Sequence, residues 1–246
     1  MKYAVYVEGQ SEMLFVADVL QKYSKYDPAK VGFKCINLTA DIYEAVSYPV
    51  QGDLNSDNYY QIVNVNNDNL VVSKLKKDIQ GLAANGFYTI LGLKDAYSES
   101  YQKLVSNQAI VDRDMIEKLH SIQHNTINAG NIDCRLHFAI MEYETWMLAL
   151  IDNYITSHQL DTADILSQFG LDIDCELEGA VYHPFPLVQK IYQVCGESYH
   201  KHGKESLSFL STLAVDDYER LRKSGRCPSF SKFIDSLLGD PCPDLP

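Results

Sequence analysis

Apolar and polar positions alternate between two periods along the first 155 residues. Lys2 to Val7 reads as a strand, and Glu12 to Tyr23 follows with Phe15, Val16, Val19, Leu20 and Tyr23 on one helical face, Ser11 standing where an N-cap is expected. Phe33 to Leu38 and Tyr59 to Val65 read as further strands, separated by a polar stretch rich in Asp, Asn and Tyr that reads as a surface excursion. Leu70 to Ala84 carries helical spacing through Leu70, Leu75, Ile79 and Leu82. Asn85 and Gly86 break it, and Phe87 to Leu93 forms a short apolar strand. Asp112 to Asn128 predicts a helix, Arg135 to Met141 a strand, and Thr145 to Tyr154 an apolar helix that holds the only tryptophan, Trp146, most simply a core residue. Strands and helices thus alternate, which predicts an α/β fold with a mainly parallel sheet flanked by helices.

Beyond about residue 156 the strand pattern fades. Thr162 to Phe169, Pro184 to Cys195, Ser206 to Leu213, Asp216 to Lys223 and Ser229 to Leu238 all carry helical patterns. The expected organisation is an α/β domain over 1–155, a helical extension over 156–238 and a disordered tail over 239–246, where three prolines fall.

Composition narrows the function classes. A formal net charge of -12 over 246 residues argues against a general polyanion binder, although it leaves room for a nuclease with a local basic groove. Six cysteines without a Cys-x-x-Cys pair point to reduced thiols and not to a zinc ribbon or a dithiol redox centre. The chain opens directly on a strand, and its longest apolar run, near Trp146 to Ile151, is too short to cross a bilayer. A cytoplasmic protein without membrane contact is the expectation.

The chemistry-bearing residues sit where strands end. Glu8 and Glu12 flank Gly9 and Ser11 after the first strand, Asp95 follows the strand ending at Leu93, and Glu142 and Glu144 follow the strand ending at Met141. Two readings are open for the first pair: complementing a helix dipole, or lining a cation site. The recurrence of acids at three strand ends favours the second. Hard oxygen ligands suit Mg²⁺ or Mn²⁺, which polarises a phosphoryl oxygen and activates water.

On these residues the chain resembles the TOPRIM domain, in particular a poorly characterised TOPRIM-like family related to the OLD nucleases. The resemblance rests on Val7 Glu8 Gly9 Gln10 Ser11 Glu12, on Leu93 Lys94 Asp95 Ala96 Tyr97, and on Met141 Glu142 Tyr143 Glu144 Thr145 Trp146. It implies an acidic site in which Glu8 works with Asp95 to hold Mg²⁺ or Mn²⁺, with Glu12, Glu142 and Glu144 as the next candidates. The TOPRIM pattern has Asp-x-Asp, and Tyr97 stands at the second position; Glu99 is a substitute only if the loop folds back. His183 Pro184, Tyr199 His200 Lys201 His202 Gly203 Lys204 and Cys227 Pro228 Ser229 Phe230 also resemble pieces of that family.

Lys201 and Lys204 are candidates to meet a phosphate, and Arg220, Arg222, Lys223 and Arg226 form the most basic segment, whose simplest reading is a solvated helix face. The function expected from the resemblance is metal-dependent hydrolysis of DNA or RNA, in bacterial defence or nucleic-acid maintenance. The alternative is a catalytically weak TOPRIM-like subunit that works with a separate ATPase. Gly203 Lys204 lacks the spacing of a P-loop, and His120 with His124 lacks the glutamate and third ligand of a zinc site.

Overall fold

Parallel strands that are covered on both sides read as continuous apolar runs, because neither face meets water. The computed structural model, which describes residues 1–67, 70–127, 129–201 and 205–239, has this feature at its centre. In β1 (Lys2–Val7) every residue after Lys2 is buried. It is followed by α1 (Gln10–Tyr23), β2 (Val31–Thr39), β3 (Ile42–Gln51), β4 (Asn58–Asn64), α2 (Leu70–Ala84) and β5 (Thr89–Asp95). Next come α3 (Glu99–Leu104), α4 (Arg113–Asn125), β6 (Asp133–Ala139), α5 (Glu144–Ala149) and α6 (Ile151–Ser157). The remainder is helical: α7 (Thr162–Gln168), α8 (Pro184–Val194), α9 (Ser206–Ser211), α10 (Val215–Ser224) and α11 (Pro228–Leu238).

The strands form one six-stranded mixed sheet in the order β3-β2-β4-β1-β5-β6. β1 pairs in parallel with β4 on one side and β5 on the other, with Val7 opposite Asn64 and Leu93, so the carboxyl ends of these strands share one edge. β2 is parallel to β4 as well, whereas β3 is antiparallel to β2 at the edge of the sheet. β3 occupies the stretch expected to be a surface excursion. An edge strand needs little apolar patterning, and most residues of β3 are exposed. Its Pro49 is compatible with an edge, where a missing ladder donor does little harm.

The helices start and stop close to where the pattern put them, except that the helix expected over Thr145 to Tyr154 is broken at Leu150 into α5 and α6, and with two further differences. α1 begins two residues earlier than expected, with Gly9 as its N-cap, so Ser11 lies inside the first turn and is buried. α3 arises where no element was expected, and Ser98 caps it by accepting from the Tyr101 N–H at 3.2 Å.

The chain divides into two compact units, Met1–Lys94 with Lys118–His137, and Asp95–Glu117 with Phe138–Pro246. In the first, α2 packs closely on β5 at Gly92. A Cβ there would lie 2.7 Å from a Leu75 methyl and 3.0 Å from a Leu136 methyl. Gly92→Val is therefore expected to lower unfolding free energy by about 1–3 kcal/mol, the usual cost of overpacking, as read by urea denaturation. In the second unit Trp146 is fully buried, edge-on to Phe230 and stacked on Phe233, so it is a core residue as expected. Among the described residues no helix is long and apolar enough to cross a membrane.

Candidate metal centre

Three carboxylates meet in the second unit because two strands stop side by side. Past the end of β5 the Ala96 N–H donates to the Ala139 carbonyl at 2.9 Å, and the Tyr97 N–H to the Met141 carbonyl at 2.7 Å. These bonds keep the segments after β5 and β6 together. Met141 then adopts a left-handed backbone with φ 63°, although it is a buried methionine without glycine's freedom. That turn starts the Glu142–Tyr143–Glu144 segment, held by a bond from the Glu142 N–H to the Ile140 carbonyl at 3.1 Å. A non-glycine residue in this region costs about 1–3 kcal/mol and persists where its surroundings fix it.

The result is a buried acidic set. One carboxylate oxygen from each of Asp95, Glu142 and Glu144 lies within 4.8 Å of the other two, and all three residues are at most 3% exposed. Each acid is separately oriented. Asp95 Oδ1 accepts from the Tyr143 N–H at 2.8 Å. Glu142 Oε2 lies 2.8 Å from His183 Nδ1 and accepts from the Phe185 N–H at 3.1 Å. Glu144 Oε1 accepts from the Tyr199 hydroxyl at 2.9 Å, while its Oε2 is buried without a hydrogen-bond partner among the described residues. Lys201 Nζ stands against the set, 2.5 Å from Asp95 Oδ2, 3.3 Å from Glu142 Oε1 and 3.8 Å from Glu144 Oε2.

Crowded buried carboxylates resist ionisation, since burial penalises the charge and like charges repel. Burial pushes Asp95 above the usual carboxylate range, and Glu142 adds to this, against the opposing effects of Lys201 and the Tyr143 N–H. Glu144 is pushed up to about 7, chiefly by burial and then by Asp95 and Glu142, with Lys201 opposing. A divalent cation would relieve both penalties, and all-oxygen donors with one buried oxygen still lacking a hydrogen-bond donor are a fitting set for Mg²⁺ or Mn²⁺.

Glu144 also sets the pH dependence of such binding. Below about 7 an entering metal must displace a proton, so affinity for Mn²⁺ is expected to fall as the solution is acidified through neutrality. Calorimetry in buffers of different ionisation heat would register proton release; proton uptake, or no pH dependence between about pH 6 and 8, would contradict it.

The other expected site residues fall as follows. Glu8 and Glu12 belong to the first unit, where both are buried and Lys94 Nζ lies 3.8 Å from Glu8 Oε1. Glu12 is in the first turn of α1, the position that also complements a helix dipole. Lys204 and the expected tail from residue 240 onward lie outside the described residues. Tyr97 offers the set no carboxylate; its ring stacks on His183 with centroids 4.7 Å apart. Glu99, exposed on α3, pairs with Lys103 at 2.8 Å.

Three of the four residues of the basic segment are paired with acids, while Arg226 donates to the Ile173 carbonyl at 2.5 Å and to Ser224 Oγ at 3.3 Å. Arg220 meets Asp152 and Asp217, Arg222 meets Asp235 and Glu219, and Lys223 meets Glu219. His120 and His124 stack on each other and bond through Nε2 to the carbonyls of Leu136 and Cys134.

Sequence reasoning singled out His183 and Tyr199 only as family-like pieces without an orienting role, and did not find the Phe185 N–H. The His183 Pro184 and Tyr199-x-Lys201 pieces held the only signal for them. Searches of protein-family models, characterised proteins and solved structures found no match to the chain.

Proposed function

We propose that the chain is a divalent-metal-dependent phosphodiester hydrolase acting on DNA or RNA. The reading is carried by one observation, the convergence of Asp95, Glu142 and Glu144 with oxygens within 4.8 Å of one another beside Lys201. Three acids packed this closely in the interior cost free energy when ionised, and the single charge of Lys201 offsets only part of theirs. Mg²⁺ or Mn²⁺ held there would polarise a phosphoryl oxygen and lower the pKa of bound water. Glu144, with one oxygen fixed by Tyr199, would hold the metal or orient water. His183 and the Phe185 N–H would keep Glu142 in place. Lys201 would meet the phosphate. The TOPRIM-like resemblance adds Glu8 to the metal ligands, and a role in bacterial defence or nucleic-acid maintenance rests on that resemblance too.

The test is cleavage of single- and double-stranded DNA and RNA by the purified chain with Mn²⁺ and with chelator. Metal-dependent cleavage that Glu144→Gln reduces about 100-fold or more is the expected result. Cleavage that survives chelation would count against the reading. Glu8→Gln in the same assay, together with a Mn²⁺ titration, tests the addition of Glu8.

Tyr97 favours a second reading. Its ring offers no carboxylate where a second aspartate is expected and is stacked on His183, so a two-metal site is short of a ligand. On that reading the chain is a metal- and nucleic-acid-binding subunit of an assembly with a separate ATPase. Mn²⁺ binding without cleavage, and recovery of an ATPase in co-purification, would favour it.

A further inference from the structure

A lysine placed among three buried carboxylates occupies the position that a metal ion needs. Lys201 Nζ is 2.5 Å from Asp95 Oδ2 and 3.3 Å from Glu142 Oε1, with Glu144 Oε2 at 3.8 Å. Those residues supply the oxygens that lie within 4.8 Å of one another. Mg²⁺ binds oxygen at about 2.0–2.1 Å, so a metal on Asp95 Oδ2 would stand within about 4.6 Å of an ammonium that the same oxygen holds and that also faces Glu142 and Glu144. Two cations that close repel each other, and the repulsion is poorly screened where the carboxylates are buried.

We propose that Lys201 is a tethered counter-ion that holds the carboxylates together when metal is absent and must leave before a divalent cation enters. This rests on the metal-centre reading above and adds to it a control on loading. Three carboxylates are offset by a single charge while Lys201 is in place, and by two charges once a divalent ion replaces it. Exchange is therefore electrostatically downhill, but it is opposed by the loss of the short Lys201–Asp95 contact.

Lys201 is suited to leaving. Its side chain is 22% exposed, while the carboxylates it touches are 5% exposed or less, so it reaches the set from the open side. An ammonium on a four-carbon stem makes no fixed fork with its partners and can swing to another anion. A phosphodiester arriving at that side would accept the displaced ammonium. Phosphate and metal then favour each other's binding, because both draw on the same displacement of Lys201.

Mn²⁺ binding followed by electron paramagnetic resonance tests the proposal on the full chain, comparing wild type, Lys201→Met and Lys201→Arg. Lys201→Met is expected to bind Mn²⁺ about tenfold or more tightly, since the competing cation is gone, whereas Lys201→Arg, which keeps the charge, should show no such gain. Lys201→Gln carries the same test should the methionine variant not fold. A second readout is thermal denaturation without metal: the neutral variants should melt below wild type and recover on addition of Mn²⁺. Wild type that binds Mn²⁺, with neutral variants binding no more tightly, would overturn the counter-ion role alone. No Mn²⁺ binding by any of the chains would overturn the metal centre and the counter-ion role together.

Discussion

Asp95→Asn is expected to leave a folded protein that has lost Mn²⁺-dependent cleavage by more than about 100-fold, on the hydrolase reading proposed above. Changes to groups that merely orient a metal ligand cost about 10- to 100-fold, so removal of a ligand charge starts at the upper end of that range. The substitution preserves shape. The amide oxygen of the introduced asparagine could still accept from the Tyr143 N–H, which keeps the turn after β6 anchored. What is lost is the charge at Oδ2, the oxygen 2.5 Å from Lys201 Nζ.

Stability is pulled both ways by the same change. Losing one buried carboxylate eases the repulsion with Glu142 that helps to push Asp95 upward, while Lys201 loses its shortest partner. Circular dichroism and urea denaturation should therefore find a folded chain, and the Mn²⁺ titration should find weakened binding. A variant that binds and cuts as wild type does would remove Asp95 from the site.

The fold was legible where burial dictates pattern. β1, β4 and β5 are buried almost throughout, so their apolar runs marked them with ends displaced by no more than about two residues. β3 was not legible, because an exposed edge strand can be built from Glu44, Ser47 and Gln51 as readily as from apolar residues. α3 was hidden by its length, since six residues make too few turns for a period to emerge.

The same logic divides the candidate site. Acids following strands could be named because strand ends in a parallel sheet are known to lie on one edge. Tyr199, His183 and Lys201 could be picked out as a family-like piece, but no spacing rule connects positions 183–201 with Glu142 and Glu144. That link is made by loops around α8, whose path depends on packing and not on periodicity. The departure at Tyr97 was visible in the sequence; that its ring would be taken up by stacking on His183 was not.

Glu178→Ala is expected to be the most destabilising polar substitution in the second unit, at about 2–4 kcal/mol in urea denaturation. Glu178 is 1% exposed, and its carboxylate accepts from the Ser229 N–H at 3.0 and 3.2 Å and from the Ser229 hydroxyl at 2.5 Å. It thereby satisfies a donor at the N-terminus of α11, where Pro228 supplies none. Ser229 Oγ in turn accepts from Trp146 Nε1 at 3.0 Å, so the buried indole, the partly buried serine and the buried glutamate form one chain between α5, the loop before α8, and α11. Alanine at 178 removes the acceptor of the partly buried Ser229 N–H and hydroxyl, whereas Ser229→Ala leaves the backbone bond intact and should cost about half as much.

pH separates this account from simple loss of packing. Burial pushes Glu178 above its ordinary value of 4.5, with the two Ser229 donors opposing. The folded chain therefore holds a proton that the unfolded chain releases, and stability falls as pH rises from about 4.5 through the raised value. Glu178→Gln, which cannot ionise, should lack that part of the decline and approach the wild type more closely at higher pH. An equal gap between the two at every pH would mean that the carboxylate is not the group under strain.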